Sequence, residues 1–159
     1  MATEITLRDV QQDDLPIFFA NQLDPDANHM AAFPSRTHDE FMAHWAKVLA
    51  ETSNIVKTII FRGAVAGNIG SWRVADERYV GYWLGKEFWG KGIASAALAQ
   101  FLGLVRERPL HARVVKHNVA SIRVLHKCGS TIFGEDSFRG PDGELEVEFI
   151  MLLAATEPT

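Results

Sequence analysis

The sequence predicts an α/β chain of about seven strands and about four helices, folded as one domain over residues 1–159. Three observations predict this class. Apolar residues recur with period two in some stretches and period 3.6 in others, and the two kinds alternate along the chain. Glycines mark junctions between them, most densely at Gly90 and Gly92. No linker, internal repeat or low-complexity run divides the 159 residues, a length that buries roughly two-thirds of the unfolded surface.

Taken in order, residues 5–8 read as a short strand. Asp13 or Asp14 then caps a helix with Pro16 in its first turn and Leu15, Phe18 and Phe19 as its apolar residues. Residues 24–35 read as an irregular loop. Thr37-His38-Asp39-Glu40 is a capping box, and Phe41, Trp45, Val48 and Leu49 form the core stripe of the helix behind it. Residues 55–61 and 64–74 are strands joined at Arg62-Gly63, and residues 75–78 turn into a third strand at 79–84. The period then becomes helical over 93–105, with Ile93, Ala97, Phe101, Leu104 and Val105 on one face. After the Pro109 break, residues 111–115 are β-type, and a helix opening at Asn118 stops at Gly129. Residues 131–138 and 144–153 make a hairpin around Gly140-Pro141-Asp142-Gly143. The order is β-α-α-β-β-β-α-β-α-β-β.

The strand–glycine–helix junction at 81–94 is where chemistry concentrates. Gly90 and Gly92 let the backbone turn tightly and approach a ligand with no Cβ in the way. The helix N-terminus behind them offers free N–H groups and a positive dipole end to an anion. Its first turn, Ala94 to Ala97, is small enough for a bulky ligand to lie against it. A nucleotide-hydrolase loop needs four residues between its glycines, and here only Lys91 separates them; the dinucleotide fingerprint needs a third glycine where Ser95 stands.

Glu87-Phe88-Trp89-Gly90-Lys91-Gly92 resembles instead the pyrophosphate-binding signature of the GNAT superfamily of N-acetyltransferases, Gln/Arg-x-x-Gly-x-Gly/Ala. It is similar in particular to the branch that acetylates ribosomal-protein N-termini, where Trp-Gly-Lys-Gly is common. A second motif follows in the right order. Asn118-Val119-Ala120-Ser121, an aliphatic pair and Lys127-Cys128-Gly129 resemble the helix beside the thioester end of the cofactor in that family. The resemblance implies a single GNAT-type domain with a mixed, mostly antiparallel central sheet, and acetyl-CoA as co-substrate with no metal. It implies cofactor contacts from Trp83, Leu84, Phe88, Trp89, Gly90, Lys91, Gly92, Ile93, Ala94 and Asn118. One position departs from the signature: Glu87 stands where Gln or Arg is usual, so its side chain must point away from the pyrophosphate.

The implied reaction is acetyl transfer to a primary amine by direct attack. The resemblance supplies a backbone N–H near Trp83 or Leu84, where the cofactor strand bulges, as the oxyanion donor. Ser121 matches the serine that protonates the leaving thiolate; its alternative role is helix capping. Tyr79 and Tyr82 are the only tyrosines, and neither matches the tyrosine usual after the second motif. The base is open among Glu135, Asp136, Glu148, His117 or a water chain, because Gly140 stands where relatives carry a glutamate. An α-amine, with a pKa near 8, needs little help to lose its proton. Asn28, His29, Phe33, Arg36, Trp72 and Phe138 are the candidate acceptor-lining residues. The acceptor is a protein N-terminus or a small-molecule amine. A non-catalytic acyl-CoA-binding module of the same fold is the alternative, and pairing through the last strands would make a homodimer.

Composition excludes other classes. With 16 basic and 20 acidic residues the formal charge is −4, which disfavours a broad nucleic-acid surface. No run of about 18 apolar residues spans a membrane, and the first residues lack the pattern of a signal peptide. One cysteine, Cys128, excludes internal disulfides and cysteine-rich metal sites and points to the cytoplasm.

Overall fold

The computed structural model describes residues 4–154; the outermost residues of the expected 1–159 domain lie outside the described residues. Strand β1 (Ile5–Asp9) leads through a 3-10 turn at Gln12–Asp14 into three helices, α1 (Leu15–Asn21), α2 (Pro25–Ala31) and α3 (His38–Ala50). A meander of β2 (Ile55–Phe61), β3 (Ala64–Val74) and β4 (Glu77–Leu84) follows, then α4 (Ile93–Leu104), β5 (Leu110–Val115) and α5 (Val119–Lys127). The chain closes with the hairpin β6 (Thr131–Arg139) and β7 (Leu145–Leu153).

The seven strands form one sheet in the order β1-β2-β3-β4-β5-β7-β6. Every neighbouring pair is antiparallel except β4 and β5, which run parallel and pair only at Arg78–Leu110 and Tyr79–His111. Beyond Tyr79 the two strands part, because β3 holds β4 to its end while β7 holds β5. The sheet is therefore split along its middle, and the site is built into that split.

Alternation along the strands fills two cores. On one face Ile59, Ile69, Val80 and Leu84 meet Ile93, Ala97, Leu98 and Phe101 of α4 and Leu125 of α5. Phe101 is wholly buried, a burial that contributes about 2–3 kcal/mol against exposure. On the other face Leu15 and Phe18 of α1 pack with Phe41 and Trp45 of α3 over Val56 and Val65.

The structure departs from the sequence expectations in identifiable ways. There are five α-helices among the described residues, not four, because α2 occupies the expected loop at 24–35. Asp24 caps it by accepting the Asp26 N–H at 2.9 Å, Pro25 opens it, and Ala32 ends it in the left-handed conformation. Neither Asp13 nor Asp14 caps α1 through its side chain. The Asp14 carboxylate turns inward instead, taking both guanidinium nitrogens of Arg8 (2.7 and 2.8 Å), the Thr58 hydroxyl (2.7 Å) and the Gln11 N–H (2.8 Å). The capping box at Thr37–Glu40 is formed as expected. Leu49 and Leu104, assigned to apolar faces by period, are exposed, whereas Leu98 is buried. β4 begins at Glu77, so the turn before it is only Ala75-Asp76. No helix among the described residues is long and apolar enough to cross a membrane.

Candidate active site

A cavity of about 280 Å³ opens where β4 ends and the α4 and α5 N-termini converge. Its floor is the junction expected to bind a phosphate group: Trp83, Leu84, Phe88 and Trp89, then Gly90, Gly92, Ile93 and Ala94. Gly90 and Gly92 both have positive φ (74° and 76°), and neither has a heavy atom within 4 Å of where a Cβ would stand. The first intrahelical bond of α4 runs from Ala96 N–H to Gly92 O, so the amides before it have no helical partner and are free for an anion. Lys91 is exposed between the two glycines and does not line the cavity, and Glu87 is likewise exposed outside it. The cradle fits an extended ligand with a phosphate end.

At the other end of the cavity stand Asn118 and Ser121. The Asn118 side chain accepts the Ser121 N–H at 3.3 Å, capping α5. The Ser121 hydroxyl lies 2.7 Å from the Tyr82 hydroxyl. Burial pushes the Tyr82 phenol above its ordinary pKa, with the hydrogen bond to Ser121 opposing part of that rise. It is a protonated donor at neutral pH.

A second, smaller cavity of about 140 Å³ lies in the split between β4 and β5 and shares Ala31, Tyr82, Asn118 and Ser121 with the first. Gly81, Arg113 and Glu148 reach it from the other side. The hydroxyl pair thus stands between two spaces, one leading to the phosphate cradle and one through the sheet.

The wall of β4 is distorted where the cavities meet. β3 and β4 stay in one-to-one register, so no residue is inserted and the strand does not bulge in that sense. The Trp83 carbonyl oxygen instead lies 2.0 Å from where a Cβ on Gly67 would stand. Only a glycine at 67 allows that tilt. Because the peptide is planar and trans, the Leu84 N–H points the opposite way, away from β3.

The candidate acceptor residues are scattered, and none of the six lines either cavity. Asn28 is occupied in tying α2 down, donating to the Gln22 carbonyl (2.9 Å) and accepting from Ser35 (2.8 Å). His29 stacks on His117 at 4.8 Å between ring centres. The Arg36 guanidinium sits 4.9 Å over the Phe33 ring, on the loop after α2. Trp72 stacks on Tyr79 with its ring edge over Gly81, which itself lines the second cavity. Phe138 faces Glu146 across the final hairpin. Of the candidate bases, Glu135 pairs with Lys116 (2.8 Å) and His117 Nε2 donates to the His29 carbonyl (2.7 Å). Asp136 and Glu148 both accept from Arg113, at 3.2 and 2.7 Å, and of the four only Glu148 lines a cavity. Gly140 is in the hairpin turn, its N–H bonded to Glu144 O.

Sequence reasoning missed Tyr82 as a site residue and the α2 residues Ala27, Met30 and Ala31, which line the cavity. A signal existed for each group. Tyr82 alternates with Val80 and Leu84, which places it on the α4–α5 face, and Asp24-Pro25 is a helix start. Among the described residues no group of three or more His, Cys, Asp or Glu side chains could hold a metal ion.

Comparisons with known proteins bear on this geometry. Residues 4–131 match the family model described as an acetyltransferase (GNAT) domain. No match is found among curated proteins. Among solved structures, a GNAT-superfamily phosphinothricin acetyltransferase from Sinorhizobium meliloti in complex with acetyl-CoA is 20% identical, with a TM-score of 0.81 covering 98% of this chain and 94% of that one. Spermidine N-acetyltransferase from Vibrio cholerae, with CoA and spermine, is 14% identical at TM-score 0.83, covering 96% of each chain. The microcin C7 self-immunity acetyltransferase, with acetyl-CoA and AMP, is 17% identical at TM-score 0.78, covering 95% and 92%.

Proposed function

The chain belongs to the GNAT acetyltransferase family, and from that premise we propose that it transfers the acetyl group of acetyl-CoA to a primary amine by direct attack in the split between β4 and β5. The observation that carries this is the hydroxyl pair of Tyr82 and Ser121, 2.7 Å apart, standing between the phosphate cradle and the second cavity.

Acetyl-CoA supplies the thioester: the amine nitrogen bonds to its acetyl carbon as the carbon–sulfur bond breaks. The chain's own residues do the rest. The free amides at the start of α4, beside Gly90 and Gly92, hold the pyrophosphate, and Asn118 holds the α5 terminus against the cofactor arm. The Leu84 N–H, turned from β3 by the tilted Trp83 peptide, donates to the oxygen that gains charge. Ser121 gives its proton to the departing sulfur and is resupplied by Tyr82, whose burial keeps it protonated. The attacking amine sheds its proton to water.

The likeness of Trp89-Gly90-Lys91-Gly92 to the ribosomal N-terminal branch supports a peptide amine, and the structural neighbours named for small amines support a free amine. Both acceptor classes belong in the test. A homodimer is part of the same reading: β6 is an outer edge strand with Ile132 and Phe133 exposed near its start. A cytoplasmic site of action is supported by the lone Cys128.

The experiment is release of free thiol from acetyl-CoA against a panel of small amines and N-terminal peptides. Amine-dependent release supports transfer. Acetyl-CoA binding without release from any acceptor would overturn it in favour of an acyl-CoA-binding module.

A further inference from the structure

The face of the sheet outside the second cavity has a composition that speaks to the acceptor. Arg113 stands at its mouth, its guanidinium 5.7 Å over the Tyr79 ring, bonded to Glu148 at 2.7 Å and to Asp136 at 3.2 Å. Two carboxylates therefore share one cation, leaving a net negative mouth. The guanidinium is already engaged by those carboxylates and the ring. Beside it Trp72 stacks on Tyr79 with its edge over Gly81, which itself lines the cavity. The mouth thus joins an aromatic wall to an excess carboxylate.

Resting on the proposed transfer reaction, we infer that the acceptor is a small primary amine with a flat apolar body and no carboxylate on the carbon that bears its amino group. The cation is drawn to Glu148, whose side chain is 15% exposed, and the body lies against Trp72. A neighbouring carboxylate on the acceptor would meet Glu148 and Asp136 with no free cation to receive it, since Arg113 is shared between them. Discrimination therefore comes from repulsion as much as from attraction. Asp136, 56% exposed, is the gate on Arg113 and not a contact of the amine.

The test uses matched pairs that differ only in that carboxylate: 2-phenylethylamine against phenylalanine, and tyramine against tyrosine, each read as kcat/KM with saturating acetyl-CoA. The expected preference for the amine of each pair is at least about tenfold. Glu148→Gln should raise KM for 2-phenylethylamine by about tenfold with a smaller change in kcat. Asp136→Asn should raise kcat/KM for phenylalanine and narrow the preference, because Arg113 is then balanced by Glu148 alone and the excess negative charge that repels a substrate carboxylate is gone. Equal or better use of the amino acids by the unaltered enzyme would overturn the inference. So would an unchanged preference in Asp136→Asn, or acetylation of N-terminal peptides alone. Acetyl-CoA binding with no amine of the panel acetylated would overturn it and leave the cofactor site standing, whereas no binding of acetyl-CoA would overturn the reaction on which it rests.

Discussion

At the scale of single residues, the account turns on two hydroxyls that the chain brings together from positions 39 apart. Ser121 is legible in the sequence because it follows Asn118 by three residues at a helix start, but that pattern equally describes a cap, and the structure shows the capping contact too. What sequence could not give was the partner. Tyr82 becomes a neighbour only because β4 and α5 meet across the split, a tertiary relation that no local pattern encodes. If the pair acts as a proton relay, Ser121→Ala and Tyr82→Phe should each lower kcat by about 10²-fold with little change in acetyl-CoA affinity. The double variant should be little worse than either single one. Multiplying losses in steady-state kinetics would mean two independent roles. An unchanged kcat in Ser121→Ala would take the hydroxyl out of the chemistry and leave Ser121 only its backbone N–H in the Asn118 cap.

At the scale of elements, the strand–glycine–helix junction was readable because each step is enforced locally: aromatic and β-branched residues make the strand, glycines make the turn, and small residues open the helix. The helix α2 was not read, since its seven residues lack a strong period and its stability comes from elsewhere. Asn28 and His29 tie it to its surroundings, and Lys86 pairs with Asp26. The acceptor residues guessed from that stretch fell outside the cavities for the same reason, because a helix presents Ala27, Met30 and Ala31 inward where a loop could have presented others. The tilt of β4 gives an element-scale prediction. Gly67→Ala sets a Cβ 2.0 Å from the Trp83 oxygen and must push that peptide back. The variant should keep its circular dichroism spectrum and acetyl-CoA affinity while kcat falls by about 10²-fold, the lower end of what an oxyanion donor contributes. Full activity would remove the Leu84 amide from the mechanism.

At the scale of the whole molecule, the fold class and strand count were legible because period two and period 3.6 are properties of the backbone, while the sheet order, with β7 inserted between β5 and β6, is a property of packing. The join between β1, β2 and the first helices rests on Asp14, whose side chain is 3% exposed. The hydrogen bonds from Arg8, with those from Gln11 and Thr58, outweigh burial and lower its pKa from 3.8 to about 2. A depressed carboxylate stabilises the fold above its unfolded pKa and loses that stabilisation as pH falls through the folded value. Urea unfolding should therefore show about 2 kcal/mol of stability lost between pH 4 and pH 2 from this group. Asp14→Asn should be less stable at neutral pH by about 3 kcal/mol, with a flatter profile across that window. A parallel profile would place the acid sensitivity in other carboxylates.

The central claim, that the glycine turn before α4 is a cofactor cradle, is tested most directly by calorimetric titration of acetyl-CoA into the unaltered protein and into Gly92→Glu. That substitution puts a carboxylate at a positive-φ position with open space before it, where the pyrophosphate would lie. The account predicts saturable one-to-one binding by the first and none by the second, with both folded. No binding by the unaltered protein, or equal binding by the two, would contradict it.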